Sequence, residues 1–251
     1  MKVAQYIGHT GFTSRQKAKI LIDEKRVTIN GKLVTHSTSF TEGDVVKVDG
    51  KNLKGVFESP LRKTYPVKSK SKTTKSKGEA TYIVYNKPKG IICTTEKIAD
   101  NIIDAIKHEE NILPVGRLDK DSEGLIILTN VGKIIDRIIN PKFAHIKEYV
   151  VTLNLPVTTQ FIKAASEGID IGGEITSPCE IKIEPGSKRI FRVTLKQGIN
   201  RQIRRMCNKF GYQVVKLKRV SVMHIKLGNL KQGEWRDLTP DELEVLLAAL
   251  Y

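Results

Sequence analysis

Cysteine is scarce in this 251-residue chain, and acidic residues are well outnumbered by basic ones. The three cysteines, Cys93, Cys179 and Cys207, stand far apart, and an odd number cannot pair completely, so a disulfide framework is excluded. No CxxC or HxxxH spacing occurs, which leaves a zinc site little to build on. The five histidines are scattered along the chain. No glycine-rich loop carries a P-loop lysine and no serine hydrolase motif is present, so nucleotide hydrolysis and serine-based acyl transfer lose their support. No apolar run approaches the roughly 20 residues that a bilayer span requires. The opening residues Met1-Lys2-Val3-Ala4-Gln5 lack the apolar core of a signal peptide. These absences, with the free thiols, predict a soluble protein of the cytoplasm with no membrane partner. Coiled-coil heptads and repeats of solenoid period are also missing, and a monomer is expected.

What is abundant is positive charge. Lysine and arginine number 43 against 27 aspartates and glutamates, a net +16 that points to a polyanionic partner, most simply nucleic acid. The charge is unevenly spread. Residues 60–79 hold seven basic side chains and one acidic, and alternate lysine with serine or threonine. Such a segment has too little apolar surface to order itself. It reads as a basic flexible linker, either a plain solvated tether or one that also touches phosphates. The linker divides the chain into residues 1–59, the linker 60–79, and a larger domain 80–251.

In the first part, Val3, Ile7, Ala18, Leu21 and Ile22 keep helical spacing, with a break at Gly8–Gly11 that separates two short helices. Thr13 or Ser14 can cap the second. Asn30-Gly31 between alternating residues signals a hairpin, and Glu42-Gly43-Asp44 turns into a further strand at Val45–Val48. The pattern resembles the S4 RNA-binding domain over about residues 2–50, through Ser14-Arg15-Gln16-Lys17-Ala18 and the Asn30-Gly31 turn. That resemblance implies that Arg15, Gln16, Lys17 and Lys19 face RNA.

In the larger domain, strands are expected at 82–86, 125–129, 147–153 and 191–195, and helices at 132–140 and 200–210, the latter ending at Gly211. Thr239-Pro240-Asp241-Glu242 is a capping box with proline at the first helical position. Strands and helices mix without regular βαβ alternation, so the fold class is α+β with a mixed, largely antiparallel sheet.

The loop from Gly116 to Gly124 carries Asp119, Asp121 and Glu123 at alternate positions between two apolar segments. Composition alone allows a polar surface turn or a carboxylate site. Three carboxylates this close are poorly placed to flank a glycosidic bond as a glycosidase pair would. The wording of the loop adds more. Gly116-Arg117-Leu118-Asp119 with Asp121-Ser122 and Gly124-Leu125 is similar to the central motif of RNA pseudouridine synthases. Lys87-Pro88 with Gly90 is similar to their first motif, and Lys147, Tyr149 and Val151 to their third. Asn200-Arg201-Gln202-Ile203-Arg204-Arg205-Met206 is similar to their final basic motif, and all four stand in the family's order. The resemblance is to the RsuA-like branch, with wording closest to the large-subunit 23S rRNA enzymes.

The resemblance implies a reaction and roles. Uridine is isomerised to pseudouridine without metal or organic cofactor. Asp119 is the catalytic carboxylate, acting either by covalent attack or by removing a sugar proton. Arg204 pairs with it, and Tyr149 stacks on the flipped uracil. Ile203 walls the base from below, Arg117 holds or replaces the flipped nucleotide, and Arg201 and Arg205 face phosphates or the pocket rim. The implied partner is ribosomal RNA, free or within a ribosomal subunit or assembly intermediate. A transfer RNA substrate and a non-catalytic assembly factor are the alternatives.

Overall fold

The computed structural model describes residues 1–10, 12, 13, 15–41, 43–53 and 79–250. Ser14, Glu42 and nearly all of the basic linker, expected above as a cap, a turn residue and a tether, lie outside the described residues. The chain divides into two compact units. The first is Met1–Tyr82 with His108–Leu113 and Thr129–Asp136, and the second Ile83–Lys107, Pro114–Leu128 and Arg137–Tyr251.

The first unit opens with α1 (Val3–His9) and α2 (Arg15–Asp23), followed by β1 (Val27–Ile29), β2 (Lys32–Leu33), β3 (Val46–Val48) and β4 (Lys51–Asn52). The four strands form an antiparallel sheet in the order β2-β1-β3-β4. Asn30 and Gly31 link β1 to β2 with φ of 50° and 81°. Two positive φ values in a two-residue loop match the right-handed twist of the flanking strands, which is why the Asn-Gly pair sits there. Val3, Ile7, Ala18, Ile22, Val27 and Val46 close a small core between the helices and the sheet.

The second unit is organised on a nine-stranded sheet. The elements from Tyr82 onward are β5 (Tyr82–Lys87), α3 (Ile102–Ile106), β6 (Leu113–Val115), β7 (Glu123–Thr129), α4 (Gly132–Ile139), β8 (Lys147–Leu153), α5 (Thr159–Glu167), β9 (Ile181–Ile183), β10 (Ile190–Leu195), α6 (Gln202–Lys209), β11 (Val214–Val222), β12 (Ile225–Lys226), β13 (Trp235–Asp237) and α7 (Pro240–Leu250), of which Gly132–Asp136 of α4 belong to the first unit. The strands run β13-β5-β7-β11-β8-β10-β9, with β12 beside β11 and β6 beside β7. β8, β10 and β9 pair antiparallel, as do β11 and β8, whereas β7 and β11 run parallel. The class is therefore α+β with a mixed sheet. Leu125, Ile126, Ile127 and Leu128 of β7 are all buried, as befits a strand covered on both faces. α5 and α6 pack on the β8–β10 end through Phe161, Phe191, Met206 and Tyr212.

Helix ends follow the local chemistry. The Thr239 hydroxyl accepts from the Glu242 N–H at 3.2 Å, and the Glu242 carboxylate accepts from the Thr239 N–H at 2.9 Å, a complete capping box for α7. Gly211, at φ 75°, follows the end of α6. No helix among the described residues is long and apolar enough to cross a membrane.

Candidate active site

The loop between β6 and β7 begins on Gly116, at φ 76°, and leads into Gly124, the second residue of β7, at φ 106°. Gly124 has a second reason to be glycine. A Cβ there would lie 2.2 Å from the carbonyl oxygen of Arg219, its parallel partner on β11. Between these ends the chain turns tightly, and the Ser122 N–H donates to the Asp119 carbonyl at 3.1 Å. The turn after β5 braces it. The Gly90 N–H donates to the Lys120 carbonyl at 2.7 Å, and the Leu118 N–H to Cys93 Sγ at 3.3 Å.

Lys87, at the end of β5, is fully buried and gives its Nζ to the carbonyls of Pro88 and Ile91 at 3.0 and 2.8 Å. Burial pushes its ammonium below the ordinary lysine value. The lysine thus ties the bracing turn to itself, and the turn in turn holds the loop that carries Asp119.

The basic helix α6 meets that loop from the other side. Arg201 precedes α6 with φ 50°, unusual for a side chain of its size and costing of order 1–3 kcal/mol. Its guanidinium makes a two-pronged contact with Asp121 at 3.2 and 3.1 Å and lies 3.6 Å from Asp119 Oδ2. Arg204 donates to the Asp121 carbonyl at 3.0 Å, the Ser122 hydroxyl at 3.4 Å and the Val214 carbonyl at 3.2 Å. Its Nε lies 3.2 Å from the Asp121 carboxylate but off the line of a hydrogen bond, so the two pair as charges. Burial raises the Asp121 carboxyl, yet the hydrogen bonds and charges of Arg201 and Arg204 outweigh it and hold the group below the usual carboxylate range.

This departs from the expected Arg204–Asp119 pair. Arg204 grips Asp121 and the backbone beside it, and Arg201 is the cation nearest Asp119. The reason is the tight turn. It separates the two carboxylates and turns Asp121 toward α6, while the Asp119 side chain remains 30% exposed.

Asp119 opens into a cavity of roughly 380 Å³, a volume in the range of small-molecule sites. Arg117, Tyr149, Arg201 and Ile203 line it with Asp119, so five of the seven predicted catalytic and substrate-binding residues meet there. Arg117 is exposed and makes no ion pair among the described residues. Tyr149 stands in the middle of β8, opposite Val193 of β10 and Arg219 of β11. Arg204 and Arg205 do not line the cavity. Arg205 is turned away, donating to the Ile171 carbonyl and lying 3.6 Å from Glu174. Arg15, Gln16, Lys17 and Lys19 are exposed on α2 in the other unit, over the buried Ala18 and Ile22.

Three basic residues of the cavity, Lys147, Lys196 and Arg219, were not picked out from the sequence as site residues. Lys147 begins β8, donates to the His145 carbonyl at 3.0 Å, and is pushed below the ordinary lysine value by burial and by Arg219. Arg219 is only 4% exposed and donates from Nε to the Leu125 carbonyl at 2.7 Å. The signal that could have found Arg219 is the period-2 run Leu217, Arg219, Ser221 on one face of β11.

Comparison with known proteins accords with this geometry. The RNA pseudouridylate synthase family matches residues 81–209, which include every element that builds the cavity except β11. The dual-specificity RNA pseudouridine synthase RluF of Escherichia coli strain K12 is 41% identical over 244 residues, covering 97% of this chain and 77% of that one. The ribosomal large subunit pseudouridine synthase B of Bacillus subtilis strain 168 is 32% identical, covering 98% of this chain and 96% of that one. The crystal structure of a pseudouridylate synthase superposes with a TM-score of 0.67 at 27% identity, over 98% of this chain and 99% of that one. With four motifs in order and a carboxylate loop opening on a cavity that Tyr149 lines, the chain belongs to the RNA pseudouridylate synthase family and is an RNA pseudouridine synthase.

Proposed function

We propose that this enzyme converts a specific uridine of 23S ribosomal RNA to pseudouridine, with Asp119 as the catalytic carboxylate. The observation that carries this reading is the convergence of Arg117, Asp119, Tyr149 and Ile203, from three separate segments of the chain, on one cavity. The names of the relatives, one of them a ribosomal large-subunit enzyme, support the choice of RNA. The name of another, a dual-specificity enzyme, is reason to test transfer RNA beside it.

The target uridine must leave its stack to reach a carboxylate at the cavity wall. Arg117 holds the phosphate of the flipped nucleotide or fills the space it leaves, and its guanidinium, exposed and without an ion pair among the described residues, suits either task. Tyr149 stacks on the base, and its hydroxyl is available for the proton lost from C5. Ile203 closes the apolar side of the slot. Asp119 acts as the carboxylate at C1′ or its neighbouring sugar proton, with Arg201 as the cation nearest it. Arg204 is a positioning residue. It clamps Asp121, Ser122 and the start of β11, and so fixes the turn from which Asp119 projects. The residues of α2, Arg15, Gln16, Lys17 and Lys19, serve an S4-like RNA-binding module of residues 1–59, joined by the basic linker 60–79 to the catalytic domain 80–251. The working compartment is the cytoplasm, in keeping with three free cysteines.

The test is tritium release from ribosomal RNA labelled at uracil C5, in free RNA and in ribosomal particles. C5 loses its hydrogen only if the new C–C bond forms there. Wild type is expected to release tritium, and Asp119→Asn to lower the rate at least about 10⁴-fold with RNA affinity within twofold of wild type. Unimpaired release by Asp119→Asn would overturn the assignment of the carboxylate. Release from transfer RNA alone would overturn the substrate.

A further inference from the structure

Arg219 is a full charge placed where an enzyme places one only at a cost. It is 4% exposed, and among the described residues no carboxylate pairs with it. Among the described residues its one hydrogen bond is the donation from Nε to Leu125 on the neighbouring strand, which holds the stem and leaves the two terminal nitrogens of the fork without a partner there. A second cation makes matters worse, since half-buried Lys147 is held below its ordinary value by burial and by the charge of Arg219. A buried charge without a partner is strongly unfavourable unless an anion arrives to meet it. Arg219 lines the same cavity as Asp119 and Tyr149.

The register says what arrives. Arg219 and Tyr149 are directly opposed partners on antiparallel β11 and β8. Opposed residues project from the same face of the sheet with their Cβ atoms close together. On the proposed reading, on which this inference rests, Tyr149 stacks on the flipped uracil, so the uracil ring comes within reach of Arg219. A phosphate is the other candidate anion. It belongs at the rim, where Arg117 is exposed and the Arg201 side chain is 44% exposed.

We propose that Arg219 is a catalytic residue that holds the uracil ring by its carbonyl oxygens and stabilises the negative charge the ring takes on when it is cut from the sugar. When the N1–C1′ bond breaks, its electron pair stays on the ring and spreads to O2 and O4. C1′ is taken up by the Asp119 carboxylate, or the sugar gives that carboxylate its neighbouring proton. The ring turns against Tyr149 while its oxygens stay within the guanidinium fork. C5 then forms the new bond to C1′ with the ring's electron pair, which discharges the ring as the Asp119 carboxylate leaves C1′ or returns its proton to the sugar; C5 afterwards gives up its hydrogen as a proton and N1 takes one up. A fixed cation at the site of charge development needs no reorganisation as the bond breaks.

The experiment compares two leaving groups in wild type and Arg219→Gln. Single-turnover conversion is followed by chromatographic separation of the nucleosides from digested 23S RNA containing uridine or 5-fluorouridine, since pseudouridine has the mass of uridine but a different retention. Fluorine withdraws electrons, so the ring departs with less help from a cation. Arg219→Gln is expected to slow loss of uridine by roughly 10²- to 10³-fold. It should slow loss of 5-fluorouridine at least about tenfold less than that, with RNA affinity unchanged. An equal loss on both substrates means that Arg219 only shapes the strand, and overturns the proposal, as does no loss at all. If Arg219→Gln fails to fold, Arg219→Lys decides by the same ratio. A wild-type enzyme that converts neither RNA would instead overturn the reading of the whole site.

Discussion

Asp119 and Asp121 are the same residue type two positions apart, and the fold gives them opposite tasks. Asp121 is consumed by Arg201 and Arg204, whereas Asp119 keeps an open face toward the cavity. The pairing of Asp121 has a consequence for pH. Its carboxyl is held below the usual range in the folded state, so it releases stability as pH falls through that depressed value. Above about pH 4, the ordinary range of a free aspartate, the contribution is fully present. Asp121→Asn is therefore expected to be less stable than wild type at neutral pH, with the difference closing as the pH drops below 4. Urea melts at pH 7 and pH 3 measure it, and a gap that widens in acid would contradict the assignment. The sequence made the motif legible but not this division of labour. Which of two carboxylates faces α6 depends on the tight turn closed by Ser122 and on the left-handed Arg201, and neither is visible in residue type.

Elements with short-range chemistry were the legible ones. The Asn30-Gly31 hairpin and the Thr239–Glu242 capping box form because a few adjacent residues dictate them. β8 was read to the residue, from Lys147 to Leu153. β11, which supplies the back of the cavity, was not read at all. Its inward face alternates Leu217, Arg219 and Ser221, so a strand with one buried face looks like a polar stretch. A charged residue reaches such a position only when the site needs it, which hid the strand and the function together. The parallel seam of β11 with β7 makes its own prediction. Gly124→Ala sets a Cβ against the Arg219 backbone and forces an unfavourable φ, so it is expected to cost about 3 kcal/mol or more. For a chain of this length that lowers Tm by roughly 6–12 °C. It should also displace Arg219 and slow turnover. A melting curve and rate equal to wild type would show that the seam relaxes.

At the scale of the whole molecule, the net charge of +16 governs how the enzyme meets its substrate. Phosphate contacts release counterions, so affinity falls steeply with salt, by a slope of about 0.7–0.9 per contact in a log–log plot. Replacing Arg15, Lys17 and Lys19 together by glutamine is expected to reduce that slope by about 2 and to weaken RNA binding at low salt. The rate at saturating RNA should stay unchanged, because these residues lie on α2 and not at the cavity. Filter binding across a salt series checks the slope, and an unaltered slope would remove α2 from the RNA-binding surface. The composition announced a polyanion partner without difficulty. It could not say where on the molecule the charge is used, because exposed lysines on a binding face and on an idle face have the same composition.

Lys87 carries a different kind of consequence. Both of its anchors are main-chain carbonyls of the turn that braces the Asp119 loop, and its amine is sealed from solvent. An amine-reactive reagent can reach it only when that turn opens. In a chain rich in surface lysines, this one amine therefore keeps time for the active site. Its slow acylation is a clock for how often the catalytic loop comes apart.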